Sequence, residues 1–259
     1  LKQHIQIDIK KLNFFYREKE ILHDITLSFN KGRFYSIIGP NGSGKSTLIK
    51  NISKLLMPKH RSIFINNEDI CSLTNKSLAK KEAVIPQNIL IDYEFTAFDI
   101  VMMGRSPYKK RFQDFDTEDR KIAEKYMELT DTWQLKDKLI TELSGGEVQR
   151  VIAARALCQE TDIILLDEPT SHLDIQYQVE FLNIFSKLKS DKIIIAVLHD
   201  LNLASIFSDE MILINKGRIE SIGEPRKVIS KENINNVYNL SVEVFENPIS
   251  KCPYIIPVV

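Results

Sequence analysis

The chain has 259 residues, 43% of them hydrophobic and 27% charged, which excludes a disordered chain and fits an ordinary globular one. Lys plus Arg equals Asp plus Glu at 35 each, and a formal net charge of zero argues against general nucleic-acid binding through a basic surface. Cys71, Cys158 and Cys252 form no CxxC pair and read as free thiols, and apolar runs such as IIIAVL fall far short of the roughly 20 residues of a membrane span.

The N-terminus alternates charged and apolar residues from its start, which predicts no signal peptide. IQIDIKKLNFFY and ITLSF alternate at period two and predict antiparallel strands with one wet face. Tyr16, within FFYREKEIL, can stack on a planar base; Phe14, Phe15 and simple hydrophobic packing are open alternatives. FYSII is a continuous apolar strand leading into GPNGSGKST, and KSTLIKNISKLL follows with helical spacing. Gly39 to Ser46 fits G-x-x-x-x-G-K-[ST] between a strand and a helix, the context that the motif requires. Gly39, Gly42 and Gly44, with Pro40, Asn41 and Ser43 between them, let the loop curl so that backbone N–H groups converge on phosphate oxygens. Lys45 then reaches the terminal phosphates, and Ser46, with Thr47 beside it, offers a hydroxyl to Mg²⁺. Such a loop alone suits a kinase, a GTPase or an ATPase.

SIFIN with its Asn66-Asn67 turn predicts another strand, and Gln87 follows the strand AVIP. From about residue 89 to 160, helical patterns dominate (AFDIVMMG, TEDRKIAEKYMELT, GEVQRVIAARALC), which predicts a helical lobe inserted into an α/β core. In LSGGEVQR, Ser144 and Glu147 form a capping box around the bare pair Gly145-Gly146, a helix start that suits a second phosphate. IILLDEP carries Asp167 and Glu168 to the end of a buried strand, where adjacent carboxylates need a positive partner. Mg²⁺ beside the phosphate loop would supply it: Asp167 orients the metal, and Glu168 is free to polarise water as general base, which favours hydrolysis over transfer to a hydroxyl. A helix over roughly 175–189 comes next, then His199 at the end of IIIAVL, then the hairpin MILINKGRIESIG. Ligands of open α/β sheets sit beyond the strands' carboxyl ends, so Gln87 is a candidate for Mg²⁺ or its water and His199 for the γ-phosphate. His4, His23 and His60 read as ordinary polar residues. Strands buried on both faces and alternating with helices predict a mainly parallel sheet wound on both sides, with a small helix and strands packed at its edge after residue 235.

Taken together, Tyr16, GPNGSGKST, Gln87, LSGGE, IILLDEP, SHLD (Ser171 to Asp174) and His199 resemble the ATP-binding cassette family of ATPases that drive membrane transporters, over about residues 5–245. The resemblance implies an α/β P-loop NTPase: a core over 1–88 and 161–245 with an N-terminal antiparallel β-subdomain, a helical subdomain over 89–160, and a tail over 246–259. It implies ATP and Mg²⁺, and a head-to-tail homodimer in which Ser144, Gly145, Gly146 and Glu147 of one copy close over ATP held by the other's phosphate loop. Asp174 would then sit at the dimer seam. Val148 stands where many members have Arg, with altered local salt bridging expected. VMMGRSPY, TEDR, PTSHLD with His172, and LHDLNLA look like the subgroup serving iron–siderophore, haem and cobalamin uptake. For that subgroup the resemblance implies a peripheral subunit on the cytoplasmic face, docked through its helical lobe, at Arg105, Tyr108 and the Lys109-Lys110-Arg111 run, on two permease subunits fed by a substrate-binding protein. The alternatives are a non-transport ATPase, such as that of iron–sulfur cluster assembly, or an importer of another cargo such as molybdate.

Overall fold

The computed structural model describes residues 5–87, 94–171 and 173–258, so His4, His172 and the predicted 88/89 boundary lie outside the described residues. The alternating N-terminal segments form β1 (Gln6–Tyr16) and β2 (Lys19–Asn30), paired antiparallel. After β3 (Arg33–Ile38) and α1 (Lys45–Ile52), the short strands β4 (Ile63–Ile65) and β5 (Glu68–Asp69) close around Asn66 and Asn67. Both asparagines take positive φ, 51° and 66°, as a tight two-residue hairpin demands. The resulting sheet has the order β2-β1-β4-β5.

Next come α2 (Asn75–Leu78), β6 (Glu82–Ile85), α3 (Ala97–Met102), α4 (Thr117–Leu129), α5 (Gly145–Cys158) and β7 (Ile163–Asp167). They are followed by α6 (Ile175–Leu188), β8 (Ile193–Val197), α7 (Leu201–Phe207), β9 (Glu210–Asn215), β10 (Arg218–Gly223), α8 (Pro225–Val228) and α9 (Lys231–Tyr238). The second sheet runs β10-β9-β3-β8-β7-β6, with every pairing parallel except the β9–β10 hairpin. Its strands bury both faces: Ile163, Leu165, Ile193 and Ile195 face α1 and the antiparallel sheet, while Ile164, Leu166, Ile194 and Ala196 face the helices. That second apolar cluster continues without a break into α3, α4 and α5, so the helical region is packed onto the core. Fully buried side chains such as Phe181 and Phe185 each contribute about 1.5–3 kcal/mol of burial.

Two expectations change. The C-terminal strands β11 (Val242–Glu246) and β12 (Pro253–Pro257) pair only with each other and do not extend the main sheet. Their hairpin is pinned to α7, where Ser205 donates to the Pro253 carbonyl at 2.7 Å and the Ile255 N–H donates to Asn202 at 2.8 Å. Arg105, expected at a docking surface, is 8% exposed. Its guanidinium donates to Asp119 at 3.1 Å, to the Cys158 carbonyl at 2.9 Å and to Glu160 at 3.1 Å. Lys109 joins it on Asp119 and also reaches Asp116 at 2.7 Å, so both cations clamp the turn after α3 onto α4 and α5; Lys110 and Arg111 are exposed. Removing one member of a buried pair strands the other charge. Arg105→Met should therefore cost about 3 kcal/mol, the low end for such a break because Lys109 remains on Asp119. A urea titration checks this, the expected result being a lower midpoint with an unchanged slope.

Candidate active site

The parallel register decides where the site forms. Ile37 pairs with Val197, Val197 with Asp167, and Leu166 with Ile85, so four strands end side by side. Gly39, His199, Glu168 and Gln87 leave those strands at one edge of the sheet.

The phosphate loop is shaped by contacts that admit no side chain at its first glycine. Gly39 has φ 150°, and a Cβ there would lie 2.1 Å from the Ile214 carbonyl oxygen. Gly44, left-handed at φ 107°, starts α1 without a side-chain cap, leaving the first-turn N–H groups free for an anion. Lys45 folds back, its ammonium donating to the carbonyls of Gly39 at 2.9 Å and Pro40 at 3.0 Å. Burial pushes its pKa down, against the opposing pull of Glu168 and Asp167. The Ser43 hydroxyl is buried without a partner. Alongside lies a cleft of about 300 Å³ whose lining includes Tyr16, Ile21, Asn41, Lys45, Thr47 and Glu168. Of the three neighbouring aromatics, Tyr16 lines the cleft; Phe14 packs into the core and meets Tyr16 edge-on at 5.3 Å, and Phe15 is exposed elsewhere.

At the end of β7, Glu168 takes φ 51°, a left-handed bend that sends consecutive carboxylates in different directions. Asp167 is 3% exposed and meets the Ser46 hydroxyl, while its Oδ1 has no partner. Burial raises its pKa, and the Ser46 hydroxyl lowers it. An orphaned carboxylate oxygen next to a serine hydroxyl and a phosphate loop is a donor set that fits a hard divalent cation. Glu168 accepts a hydrogen bond from the Gln87 amide on one oxygen, and its other oxygen lies 2.8 Å from His199 Nε2. Gln87, Glu168 and His199, far apart in sequence, are thus one cluster.

The second helix start stands apart from this cleft. Ser144 caps α5: its backbone N–H and hydroxyl both donate to Glu147 at 2.8 Å, and these bonds hold the Glu147 carboxyl below its ordinary range. Ser144 and Gly145 are exposed, Gly146 lies against the Tyr177 ring, and none of them lines the phosphate-loop cleft. Asp174 is exposed at the start of α6 and makes no side-chain cap bond.

Residues 22–171 match the ABC transporter family. The chain is 35% identical to "Probable siderophore transport system ATP-binding protein YusV" of Bacillus subtilis (strain 168), over 97% of this chain and 92% of that one. It superposes at TM-score 0.84 and 25% identity on a chain of an inward-facing transporter described as metal-chelate type, covering 98% of both. A bacterial ABC transporter cassette solved as a dimer matches at TM-score 0.73 and 30% identity, over 84% of this chain and 98% of that one. The chain belongs to the ABC transporter family. As an ATP-binding subunit of that family it is an ATPase.

Several features of this ABC subunit lay outside sequence reasoning. The half-buried Tyr238 of α9 sets its hydroxyl against the Gly39 backbone, bracing the phosphate loop from a helix two hundred positions on, and burial raises its pKa. Gln149 donates to the Pro169 carbonyl at 2.7 Å, tying α5, the helix that LSGGE opens, to the loop after Glu168. Val148 packs half-buried against the apolar cluster. His23 lies 3.1 Å from Glu20 and His60 3.5 Å from Asp69, both away from the nucleotide cleft.

A carboxyl whose pKa is raised by folding binds its proton more tightly in the folded chain, so its charge destabilises the fold near neutrality. That penalty disappears once pH falls below the unfolded carboxylate range, at about pH 4. Asp167→Asn should therefore raise the melting temperature of the nucleotide-free protein at neutral pH, with the gain fading on acidification. The same variant should lose most of the extra stabilisation that Mg²⁺ and ATP give the wild type. A lower melting temperature at neutral pH would contradict the assignment of Asp167 as an unpaired buried charge.

Proposed function

We propose that this chain is the ATP-hydrolysing subunit of an importer of metal chelates, with ferric siderophore as its cargo. In this reading it works on the cytoplasmic face of the membrane as a head-to-tail homodimer docked on two membrane-spanning subunits, which take cargo from a substrate-binding protein. The end-to-end likeness to a siderophore-system ATP-binding protein carries the cargo assignment. The dimer is supported by the absence of Ser144, Gly145 and Gly146 from the phosphate-loop cleft, because a helix start that suits phosphate then has one to meet on another copy.

Tyr16 stacks on adenine, and the N–H groups from Gly39 to Thr47 bind the phosphates, with Lys45 leaving its two carbonyl partners for the terminal phosphate oxygens. Ser46 and Asp167, with Gln87 at the edge, are the residues that would hold Mg²⁺, which when bound supplies positive charge at the phosphate oxygens. Glu168 acts as general base. The oxygen held by His199 must be released to take the proton of the attacking water, which leaves His199 free to donate to the γ-phosphate. Ser144, Gly145, Gly146 and Glu147 of the second copy cover the γ-phosphate, and Asp174 lies at the seam.

Glu168→Gln should cut ATP turnover by about 10²-fold or more, in line with loss of a general base, while binding ATP normally. On size exclusion with ATP it should run as a dimer, whereas Lys45→Ala should stay monomeric. Gly146→Val should bind ATP but form no dimer. Full turnover by a monomer carrying Gly146→Val would remove the basis for the shared site. Uptake of radiolabelled ferric siderophore by proteoliposomes carrying the complete transporter tests the cargo, against haem and cobalamin as competitors.

A further inference from the structure

Among the described residues, His60, Asp69 and Cys71 are the one set of three His, Cys, Asp or Glu side chains whose ligand atoms all lie within 4.8 Å of one another. His60 comes from the connection between α1 and β4, Asp69 ends β5, and Cys71 lies in the 3-10 turn Ile70–Ser72. His60 Nδ1 stands 3.5 Å from Asp69 Oδ2. The carboxylate is held on both sides, one oxygen accepting from the Cys71 N–H at 3.0 Å and the other from the Arg61 N–H at 2.9 Å. Each oxygen keeps a further lone pair. The half-buried Cys71 thiol makes a long contact to the Pro58 carbonyl, at 3.5 Å, and faces Asp69. Capping the turn accounts for Asp69 alone; it needs neither an imidazole nor a thiol gathered on the same carboxylate.

The chemistry of the three donors selects the ion. Imidazole nitrogen, thiolate sulfur and carboxylate oxygen together suit zinc and its borderline-soft neighbours, whereas magnesium and calcium take oxygen. A tetrahedral zinc with bonds of about 2.0–2.3 Å spaces its ligand atoms about 3.3–3.8 Å apart. The His60–Asp69 separation already has that value. The rest of the set must close by about 1 Å at most, which an imidazole 80% exposed can do by turning its side chain. Lys10, Lys11, Lys59 and Arg61 line an adjoining cleft of about 570 Å³ together with His60. Such neighbours repel a cation held by one carboxylate, but an aspartate and a thiolate together cancel two positive charges and leave the loaded site neutral. The Cys71 thiol gives its proton to solvent as its sulfur takes the metal, and water fills the fourth position.

We propose that His60, Asp69 and Cys71 bind one zinc-class ion, which staples the connection after α1 to β5, the edge strand of the antiparallel sheet. None of the three lines the phosphate-loop cleft, so the ion adds stability to the fold without entering the ATP chemistry. The site is independent of the transport reading and of the residues that would hold Mg²⁺.

The test titrates Zn²⁺ and Co²⁺ into the full, nucleotide-free chain after chelator treatment and dialysis. Wild type should take up one equivalent, and the Co²⁺ form should show the near-ultraviolet absorption of a cobalt–thiolate bond. His60→Ala and Cys71→Ser should each weaken binding about tenfold or more, the least that loss of a direct ligand should cost. Cys71→Ser should also lose the absorption, while Cys252→Ser should keep both binding and absorption. Zn²⁺ should raise the melting temperature of wild type and of neither ligand variant at the same concentration. Both ligand variants leave the Asp69 cap bonds in place, so without metal they should melt like wild type and keep Mg²⁺-dependent ATP turnover within about twofold. A chain that binds neither ion, or one whose two ligand variants hold it as tightly as wild type, would overturn the site and leave the ATPase and importer readings standing.

Discussion

The site depends on parallel strand register. Four adjacent strands end level with one another, so the turns that follow them are forced into one small volume although they lie up to 160 positions apart in the chain. None of the groups in those turns is unusual alone. Lysine folded onto carbonyls, a carboxylate with an empty oxygen, and a glutamate shared by an amide and an imidazole become chemistry only because β3, β8, β7 and β6 deliver them together. A one-residue slip of β7 would exchange its two buried faces and turn Asp167 away from Ser46. The apolar residues on both faces of that strand therefore fix the geometry of the site as well as the stability of the fold.

The two carboxylates show how neighbours acquire different work. The left-handed bend at Glu168 separates them, and environment does the rest. Asp167 keeps a buried, unmatched oxygen beside Ser46, whereas Glu168 has both oxygens engaged by polar groups from other strands. One has an oxygen left for a positive charge; the other is held between an amide and an imidazole. Lys45 is in a similar waiting state, its ammonium partly satisfied by backbone carbonyls that an incoming phosphate can replace.

What could be read in the sequence was local. The phosphate loop, the capping box, the strand-end carboxylates and the Asn66-Asn67 turn each follow from short-range chemistry, and each sits where the pattern puts it. Gln87 and His199 were legible because strand ends in an α/β sheet share one edge. The misses were all tertiary. Arg105 looks like a surface cation until Asp119 and Glu160 close on it. Tyr238 could not be tied to Gly39 by any periodicity, and the C-terminal hairpin prefers α7 to the sheet edge because Ser205 and Asn202 satisfy its backbone.

The clamp at Arg105 fixes how the turn after α3 sits on the rest of the helical region. Arg105 and Lys109 spend their charge inside the protein, so they cannot recruit a partner by charge; what they do is make the turn after α3 rigid against α4 and α5. Tyr108, at the end of that turn, donates to the Gln159 carbonyl at 2.8 Å, and Gln159 in turn holds the backbone of Glu82. The turn, Gln159 and β6 are therefore joined by hydrogen bonds at the end of α5. The buried ion pairs, which an apolar packing could have replaced at no loss of stability, make sense as stiffness in the turn that joins α3 to α4 and α5.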